Sequence, residues 1–276
     1  MLIDIHAHAF ADNIADKAVN QLIHYYNIPT VHGGHLADTL RLAAEAKVDY
    51  SVLLVAATKP EQVDPANNWI LKIKKYTVDD LRAISGVPNP PRLIPFGTVH
   101  PGYPNLLSEL ERLKAAGLKG IKLHPEFQAF DLDDPRLFPV FEAMGEEMVL
   151  MTHVGDENRK TVRSTPAQVL KILRNFPKLR VLAAHMGGYR YWQESYDTLA
   201  GHDVYFDVSS TMAFINPDLF RAIIKKHGVD RIGFGSDYPL CSPGEELERL
   251  DRIAPYLTDS EKERIYSGTA RELLGI

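Results

Sequence analysis

Residues 2–8 read Leu-Ile-Asp-Ile-His-Ala-His, and this stretch indicates how the chain begins to fold. Its apolar and β-branched residues predict a short buried strand over Leu2–His6. Side chains two positions apart on a strand lie on the same face, so His6 and His8 can point in the same direction. The stretch therefore predicts a strand that presents two imidazole rings at its carboxyl end.

Similar apolar runs recur along the 276 residues of the chain. Eight strands are predicted, at Leu2–His6, Asp49–Ala56, Leu93–Val99, Gly120–His124, Met148–His153, Arg180–His185, Val204–Val208 and Arg231–Gly235. Helices are predicted at Ala37–Lys47, Pro104–Ala116, Pro135–Glu146, Thr165–Asn175, Asp218–His227, Pro243–Ala254 and Asp259–Leu274. The alternation predicts an α/β fold, a single (β/α)8 barrel over residues 1–276. A doubly wound sheet is the rival, but no GxGxxG motif follows the first strand. The longest irregular stretch is predicted at Thr58–Pro91.

Composition and charge exclude several classes of protein. Hydrophobic residues make up 45% of the chain and charged residues 24%, which is typical of a folded globular protein rather than a disordered or fibrous one. The net charge of −5 disfavours a nucleic-acid partner. No apolar run reaches the roughly 18–20 residues that cross a bilayer, so no membrane partner is expected. With a single cysteine and no signal-peptide pattern at its start, the chain is expected to be cytoplasmic.

Polar side chains collect at the predicted carboxyl ends of the strands, where (β/α)8 barrels place their active sites. They are His6, His8, His100, Lys122, His124, His153, His185 and Asp237. Six of the 11 histidines of the chain belong to this set, which chance placement would not favour. Imidazole nitrogens suit zinc, iron, nickel or manganese, and a carboxylate extends the choice toward harder ions. The pattern predicts a divalent metal that lowers the pKa of a bound water to around 7, with Asp237 able to take its proton.

Five motifs resemble those of the amidohydrolase superfamily. They are IDIHAH at 3–8, GIKLHP at 120–125, MTHVG at 151–155, AAHMGG at 183–188 and GFGSDYP at 233–239. The motifs occur in the family's order over nearly the whole chain. They most resemble the amidohydrolase-related branch, which contains both hydrolases and decarboxylases of the aminocarboxymuconate-semialdehyde type. Because the first motif starts so early, the resemblance implies a TIM barrel without the accessory β-sandwich domain.

The resemblance implies roles for the residues at matching positions. His6 and His8 match the metal-binding pair of the first strand, and His153 matches the ligand of the fifth strand. Asp237 matches the aspartate of the eighth strand, which is both a ligand and a proton shuttle. His185 matches the histidine that binds a second metal in two-metal members and polarises substrate or water in one-metal members. The expected cofactor is one or two divalent ions, with zinc favoured.

Lys122 has two interpretations. In some two-metal branches of the family, a lysine on the fourth strand is carboxylated by CO2 and bridges the metals, and Lys122-Leu123-His124-Pro125 resembles that arrangement. The resemblance therefore implies a carboxylated Lys122 if two metals are bound. The alternative is an ordinary lysine that holds a carboxylate of the substrate.

Three further residues are predicted to contact the substrate. His124 could hydrogen-bond a substrate carbonyl, and His100 either lines the pocket or lies in a turn. Arg190 could bind a substrate carboxylate through two parallel hydrogen bonds, although the loop that carries it could simply pack against its neighbours.

The resulting prediction is a metal-dependent hydrolase that uses metal-activated water on an amide, ester or lactone bond of a small molecule. In this mechanism Asp237 transfers the proton, and His185 helps to stabilise the developing oxyanion. The first alternative is a metal-dependent non-oxidative decarboxylase of an aromatic or muconate-like acid. The second alternative is a barrel that binds without catalysis. The predicted partner is a small, anionic substrate, and a homo-oligomer is left open.

Overall fold

Parallel strands run in sequence order around the molecule. The computed structural model describes residues 1–27 and 32–276. The strands are β1 (Ile3–His8), β2 (Tyr50–Leu54), β3 (Arg92–Pro95), β4 (Gly97–Thr98), β5 (Gly120–Leu123), β6 (Val149–Thr152), β7 (Arg180–Ala183), β8 (Tyr205–Asp207) and β9 (Ile232–Gly233). They form two parallel sheets, β1-β2-β3 and β4 through β9, each in chain order.

Backbone hydrogen bonds join the two sheets into a ring. Phe96 separates β3 from β4, yet its N–H donates to the carbonyl of Leu53 at 2.9 Å, so β3 and β4 occupy one barrel position. At the other junction, the N–H of Ile5 donates to the carbonyl of Phe234 at 2.9 Å. The nine described strands thus fill the eight positions of a closed barrel, which confirms the predicted (β/α)8 architecture.

Helices follow the strands. They are α1 (Ala15–Tyr26), α2 (Leu36–Glu45), α3 (Val63–Ile73), α4 (Val78–Ser85), α5 (Leu106–Ala115), α6 (Pro125–Gln128), α7 (Phe138–Met144), α8 (Pro166–Asn175), α9 (Ala184–Gly187), α10 (Trp192–Thr198), α11 (Pro217–His227), α12 (Pro243–Ile253), α13 (Asp259–Glu263) and α14 (Thr269–Leu274). Short 3₁₀ turns lie at Pro60–Gln62, Pro135–Leu137 and Val229–Arg231, and a π-helical turn, Arg264–Gly268, joins α13 to α14. None of the described helices has the length and apolar character needed to cross a bilayer.

Apolar side chains hold the helices against the strands. One large buried cluster unites strand residues such as Leu150 with helix residues such as Leu110 and Ile172. A second cluster packs Leu273 of α14 with Ile5 of β1. Apart from β3, the described strands are buried along most of their length, as expected for a parallel barrel, so the polar residues at their carboxyl ends contrast with apolar neighbours.

The prediction that Thr58–Pro91 is irregular is wrong. Helix α3 buries Val63, Ile70 and Ile73 at helical spacing. Helix α4 begins at a capping box in which the Thr77 and Asp80 side chains satisfy each other's backbone N–H groups. The capping residues Thr77 and Asp80 are present in the sequence, but the prolines near both ends of the stretch indicated irregular structure instead.

Helix α1 was also not predicted, although its residues Leu22 and Tyr26 line the cavity at the carboxyl ends of the strands. It buries Ala15 and Val19 and ends at Asn27, which takes the left-handed conformation with φ of 52°. Its position after β1 places it at the carboxyl end of the barrel. The other predicted helices correspond to described ones, with ends that shift by a few residues or with an interruption, as at Pro135–Leu137.

Candidate metal centre

A cavity opens at the carboxyl ends of the strands. It occupies about 690 Å³, including space open to solvent. Its lining brings together six of the residues predicted for the site: His6, His8, Lys122, His124, His153 and Asp237. Apolar side chains, among them Leu22 of α1 and Phe127, form the wall above them. The cavity thus combines a polar, nitrogen-rich floor with an apolar wall.

His6, His8 and Asp237 form one group of donor atoms. The Nε2 atom of His6 lies 3.3 Å from Nε2 of His8 and 3.2 Å from Oδ1 of Asp237. The Nε2 atom of His8 lies 3.7 Å from the same carboxylate oxygen. One ligand atom from each residue lies within 4.8 Å of the others. Two imidazoles and one carboxylate are donors that a divalent metal accepts.

Lys122 is the buried cation of this group. Its Nζ atom lies 3.2 Å from Nε2 of His6, and the side chain is fully buried. Burial lowers the pKa of Lys122 to about 8, against the opposing effect of the nearby carboxylates, Asp237 first. After burial, which is the largest cause, its charge also helps to lower the pKa values of five histidines: His6, His8, His124, His153 and His185.

His153 and His185 form a second pair. The Nδ1 atom of His153 lies 2.9 Å from Nε2 of His185, and both side chains are buried. His185 follows β7 in the left-handed conformation, with φ of 61°. Its ring centroid lies 5.1 Å from that of His6, although His185 is not among the described residues that line the cavity. Burial lowers the pKa of His185 to about 4, so the ring is neutral at pH 7.

Asp237 also has an unusual backbone. Its φ is 57°, in the left-handed region that non-glycine residues rarely adopt, as is that of Ser210 at 48°. The Ser210 hydroxyl donates to Oδ2 of Asp237 at 2.6 Å, which leaves Oδ1 facing His6 and His8. Burial raises the pKa of Asp237 to about 7. Strained residues of this kind concentrate at functional sites.

Asp207 and Ser209 support the histidines and were not predicted. Oδ2 of Asp207 lies 3.0 Å from Nδ1 of His6, and Oδ1 accepts the N–H of His185 at 3.2 Å. The Ser209 hydroxyl donates to Oδ1 of Asp207 at 2.5 Å. The available signal was the run Asp207-Val208-Ser209 at the carboxyl end of a predicted strand.

Tyr26 and Glu126 are the other residues that sequence reasoning missed. The hydroxyl of Tyr26 lies 3.3 Å from Nε2 of His124, and the ring of His124 stacks on that of His153 with 4.0 Å between centroids. Glu126 places Oε2 3.7 Å from Nδ1 of His124. These three side chains, His124, Glu126 and His153, also form a compact group of donor atoms.

His100 and Arg190 have other contacts. Nε2 of His100 lies 2.9 Å from the carbonyl of Gln128, and Nδ1 accepts the N–H of Gly102 at 3.0 Å. Arg190 pairs with Glu157 at 2.8 Å and lies over the ring of Phe214. Neither belongs to the described lining of the cavity, so their contacts with substrate stay predictions.

Comparison with known proteins identifies the family to which the chain belongs. The sequence model of the amidohydrolase family matches residues 3–276. The chain belongs to the amidohydrolase family. As a family member it shares its fold with a 5-carboxyvanillate decarboxylase from Sphingomonas paucimobilis, at 16% identity over 100% of this chain and 99% of that one, with a TM-score of 0.66.

Two other solved structures show the range of proteins on this fold. A dihydroxybenzoic acid decarboxylase from Polaromonas, with bound manganese and the inhibitor 2-nitroresorcinol, is 14% identical and has a TM-score of 0.68 over 99% of this chain and 96% of its own. A candidate 2-pyrone-4,6-dicarboxylic acid hydrolase from Pseudomonas putida is 20% identical and has a TM-score of 0.66 over 99% and 97%. At these identities the likeness concerns the fold.

The residues of this amidohydrolase fit a divalent metal. His6, His8 and Asp237 each place one donor atom within 4.8 Å of the others. An imidazole binds a metal through a nitrogen atom that carries a lone pair. The contact between Nδ1 of His6 and the Asp207 carboxylate allows Nδ1 to carry the hydrogen, which leaves the lone pair on Nε2. The donor set combines nitrogen and oxygen atoms. Several divalent metals accept such ligands, so the residues do not select one element.

Proposed function

We propose that this amidohydrolase is a metal-dependent hydrolase of a small molecule with an amide, ester or lactone bond. The observation that carries the proposal is that buried Lys122 lies 3.2 Å from His6, beside the His6–His8–Asp237 group, and lines one cavity with His153, which pairs with His185. The His6–His8–Asp237 group and the His153–His185 pair could each hold one cation, with the Lys122 amine in the same cavity. Two bound metals would favour hydrolysis over decarboxylation.

His6, His8, Lys122, His153, His185 and Asp237 are the proposed metal-binding residues. Zinc is the metal we favour, and manganese, which the Polaromonas decarboxylase binds, is the alternative. A metal bound here would supply an activated water molecule and polarise a carbonyl group. The lowered pKa of Lys122 leaves part of the amine neutral near pH 8, and only a neutral amine can add CO2 to form a carbamate.

Asp237 moves the proton in this mechanism. Its Oδ2 atom is held by the Ser210 hydroxyl, so Oδ1 is the atom that faces the reaction. It takes a proton from the attacking water and delivers it to the leaving group. His124 lines the cavity beside the hydroxyl of Tyr26, and a hydrogen bond from His124 would orient the substrate carbonyl.

Decarboxylation is the second candidate, and one observation favours it. In the metal-free protein, burial raises the pKa of Asp237 to about 7, so this carboxyl can hold a proton near neutral pH when it does not bind a metal. A protonated Asp237 could deliver a proton to the carbon atom that loses CO2. One metal with a free Lys122 would leave this reaction open, and the ammonium group of Lys122 would then hold the substrate carboxylate.

Metal content per chain tests the proposal. The protein is purified without chelators or added metal and analysed by elemental mass spectrometry, with an aryl ester, a lactone and a hydroxybenzoate as trial substrates. About two equivalents with ester or lactone hydrolysis supports the hydrolase. About one equivalent with CO2 release from the hydroxybenzoate supports the decarboxylase and overturns the proposal.

A matched pair of variants controls the metal measurement. His6→Ala removes a proposed ligand and is expected to lose metal, whereas His227→Gln changes a buried histidine outside the centre and is expected to keep it. No bound metal in the wild-type protein, with reconstitution also failing, would leave a metal-free enzyme or a binding protein.

A further inference from the structure

Asp207 lies between two of the histidines on which the proposed function depends. Its carboxylate is fully buried at the end of β8. Oδ2 contacts Nδ1 of His6 at 3.0 Å. Oδ1 accepts the N–H groups of His185 and Ser209, at 3.2 and 3.0 Å, and the hydroxyl of Ser209. One carboxylate therefore touches both the first-strand histidine and the backbone of the histidine after β7.

The contact to His6 selects one tautomer of that ring. A carboxylate oxygen can only accept, so Nδ1 of His6 must carry the hydrogen to avoid placing two lone pairs 3.0 Å apart. The hydroxyl of Ser209 gives its single hydrogen to Asp207, and so its oxygen, 3.0 Å from Nδ1 of His6, is a further acceptor. The neutral ring then has a lone pair on Nε2, which can accept from the amine of Lys122 at 3.2 Å. Oδ1 of Asp237 also lies 3.2 Å from Nε2, and a cation bound by both atoms would relieve the repulsion between these two acceptors.

The same arrangement selects the tautomer of His185. Its Nδ1 atom lies 3.0 Å from the carbonyl of Ser209, which is also an acceptor only, so Nδ1 carries the hydrogen and Nε2 the lone pair. Asp207 holds Ser209 in place through its backbone N–H and its hydroxyl. The left-handed backbone of His185 is anchored to the same carboxylate.

We propose that Asp207 is a positioning residue that, with Ser209, fixes both His6 and His185 as Nδ1–H tautomers and so directs their Nε2 lone pairs into the centre. The inference rests on the proposed metal site, because it explains why these two nitrogens are ready to bind a cation. It does not depend on the reaction that the centre catalyses.

The isosteric variant Asp207→Asn gives the sharpest test. The amide oxygen can keep the contacts with Ser209 and with the N–H of His185, while the amide NH2 group then faces Nδ1 of His6. Because this group donates, His6 should change to the Nε2–H tautomer and lose the lone pair that the metal needs. We expect metal affinity to fall about 10- to 100-fold, as for other partners of ligating histidines.

The readout is the tautomer of His6 in metal-free protein labelled with ¹⁵N-histidine, measured by long-range ¹H–¹⁵N NMR and followed by titration with Zn²⁺. Wild type is expected to show Nδ1–H for both His6 and His185. Ser209→Ala keeps the carboxylate against His6 and should keep its tautomer. Glu109→Gln, which alters a buried carboxyl on α5, should change neither tautomer nor affinity.

Two results would overturn the inference. One is an Nε2–H tautomer for His6 in the wild-type protein, which needs no variant to fold. The other is a folded Asp207→Asn protein that keeps both the Nδ1–H tautomer of His6 and the wild-type affinity for Zn²⁺. If the tautomers are as proposed but the protein hydrolyses no ester or lactone, the proposed function fails while the role of Asp207 stands.

Discussion

The Nε2 atom of His185 lies 2.9 Å from the Nδ1 atom of His153. Both are acceptor atoms, because the other nitrogen of each ring faces a backbone carbonyl, that of Ser209 for His185 and that of Gly155 for His153. Two neutral rings that present lone pairs to each other at this distance repel. A positive species that both nitrogens share, either a proton or a metal ion, would therefore remove this repulsion and stabilise the pair.

The first prediction follows for His185. Replacing it with asparagine removes one of the two lone pairs, so the variant should gain less thermal stability from added Zn²⁺ than wild type does, and its turnover should fall at least about 100-fold. Differential scanning fluorimetry with and without Zn²⁺ measures the first effect. An equal shift in melting temperature for variant and wild type would show that His185 does not bind the metal.

The second prediction concerns Asp237. Asp237→Asn keeps the shape of the side chain but removes its ability to take a proton, so kcat should fall by about 10²- to 10⁴-fold on whichever trial substrate is turned over. Ser210→Ala is the matched control, because it removes only the hydroxyl that holds Oδ2 of Asp237 and should cost far less. Full activity in Asp237→Asn with any substrate would refute the proposed proton transfer.

The sequence predicted the barrel and most of its polar floor for a physical reason. His6, His8, Lys122 and Asp237 lie at or just past the carboxyl ends of strands, and a parallel barrel brings all such ends to one rim. The positions were readable because each was a polar residue beside an apolar run. The spacing of two between His6 and His8 also indicated their common face.

The residues that hydrogen-bond to the histidines of the centre could not be predicted from the sequence in this way. Asp207 contacts His6 across 201 positions of sequence, and nothing local to either residue indicates the pairing. Tyr26 reaches His124 only because α1 folds over the cavity, and α1 was not predicted. The ion pair between Arg190 and Glu157 likewise joins two loops and could not be predicted from the position of Arg190 after a strand. Contacts between distant elements decide these roles.

The third prediction is a pH dependence of stability from His227, away from the centre. Its ring stacks on Phe206 with 4.1 Å between centroids, and Nδ1 accepts the N–H of Gly201. Burial lowers the pKa of His227 from 6.5 to about 4. Between these two values the unfolded chain binds a proton that the folded protein does not, so stability falls as the pH falls.

The size of that effect can be measured by urea unfolding. From pH 7 to pH 5 this group alone should cost the folded state about 2 kcal/mol. The buried histidines of the centre add to the slope, so the comparison is between wild type and His227→Gln. The variant should lose less stability over this range, and parallel profiles for the two proteins would contradict the prediction.

The fourth prediction concerns Gly155, whose backbone conformation affects both the stability of the protein and the orientation of His153. Its φ of +85° is one that other residues rarely adopt, and a Cβ atom there would lie 2.3 Å from the carbonyl oxygen of Tyr189. That neighbour is backbone and cannot rotate away. Gly155→Ala should therefore destabilise the protein by about 3 kcal/mol, as the sum of conformational strain and steric overlap.

The same substitution should also weaken metal binding, because the carbonyl of Gly155 holds Nε2 of His153 at 2.8 Å and a shift of this carbonyl would turn the ring. The matched control is Gly244→Ala in the first turn of α12, where the nearest atom to an added Cβ is 4.0 Å away and alanine favours the helix. Urea unfolding and Zn²⁺ titration of both variants check the two effects together. A Gly155→Ala protein as stable as Gly244→Ala would contradict the strain argument, and one that is less stable but binds Zn²⁺ normally would separate Gly155 from the orientation of His153.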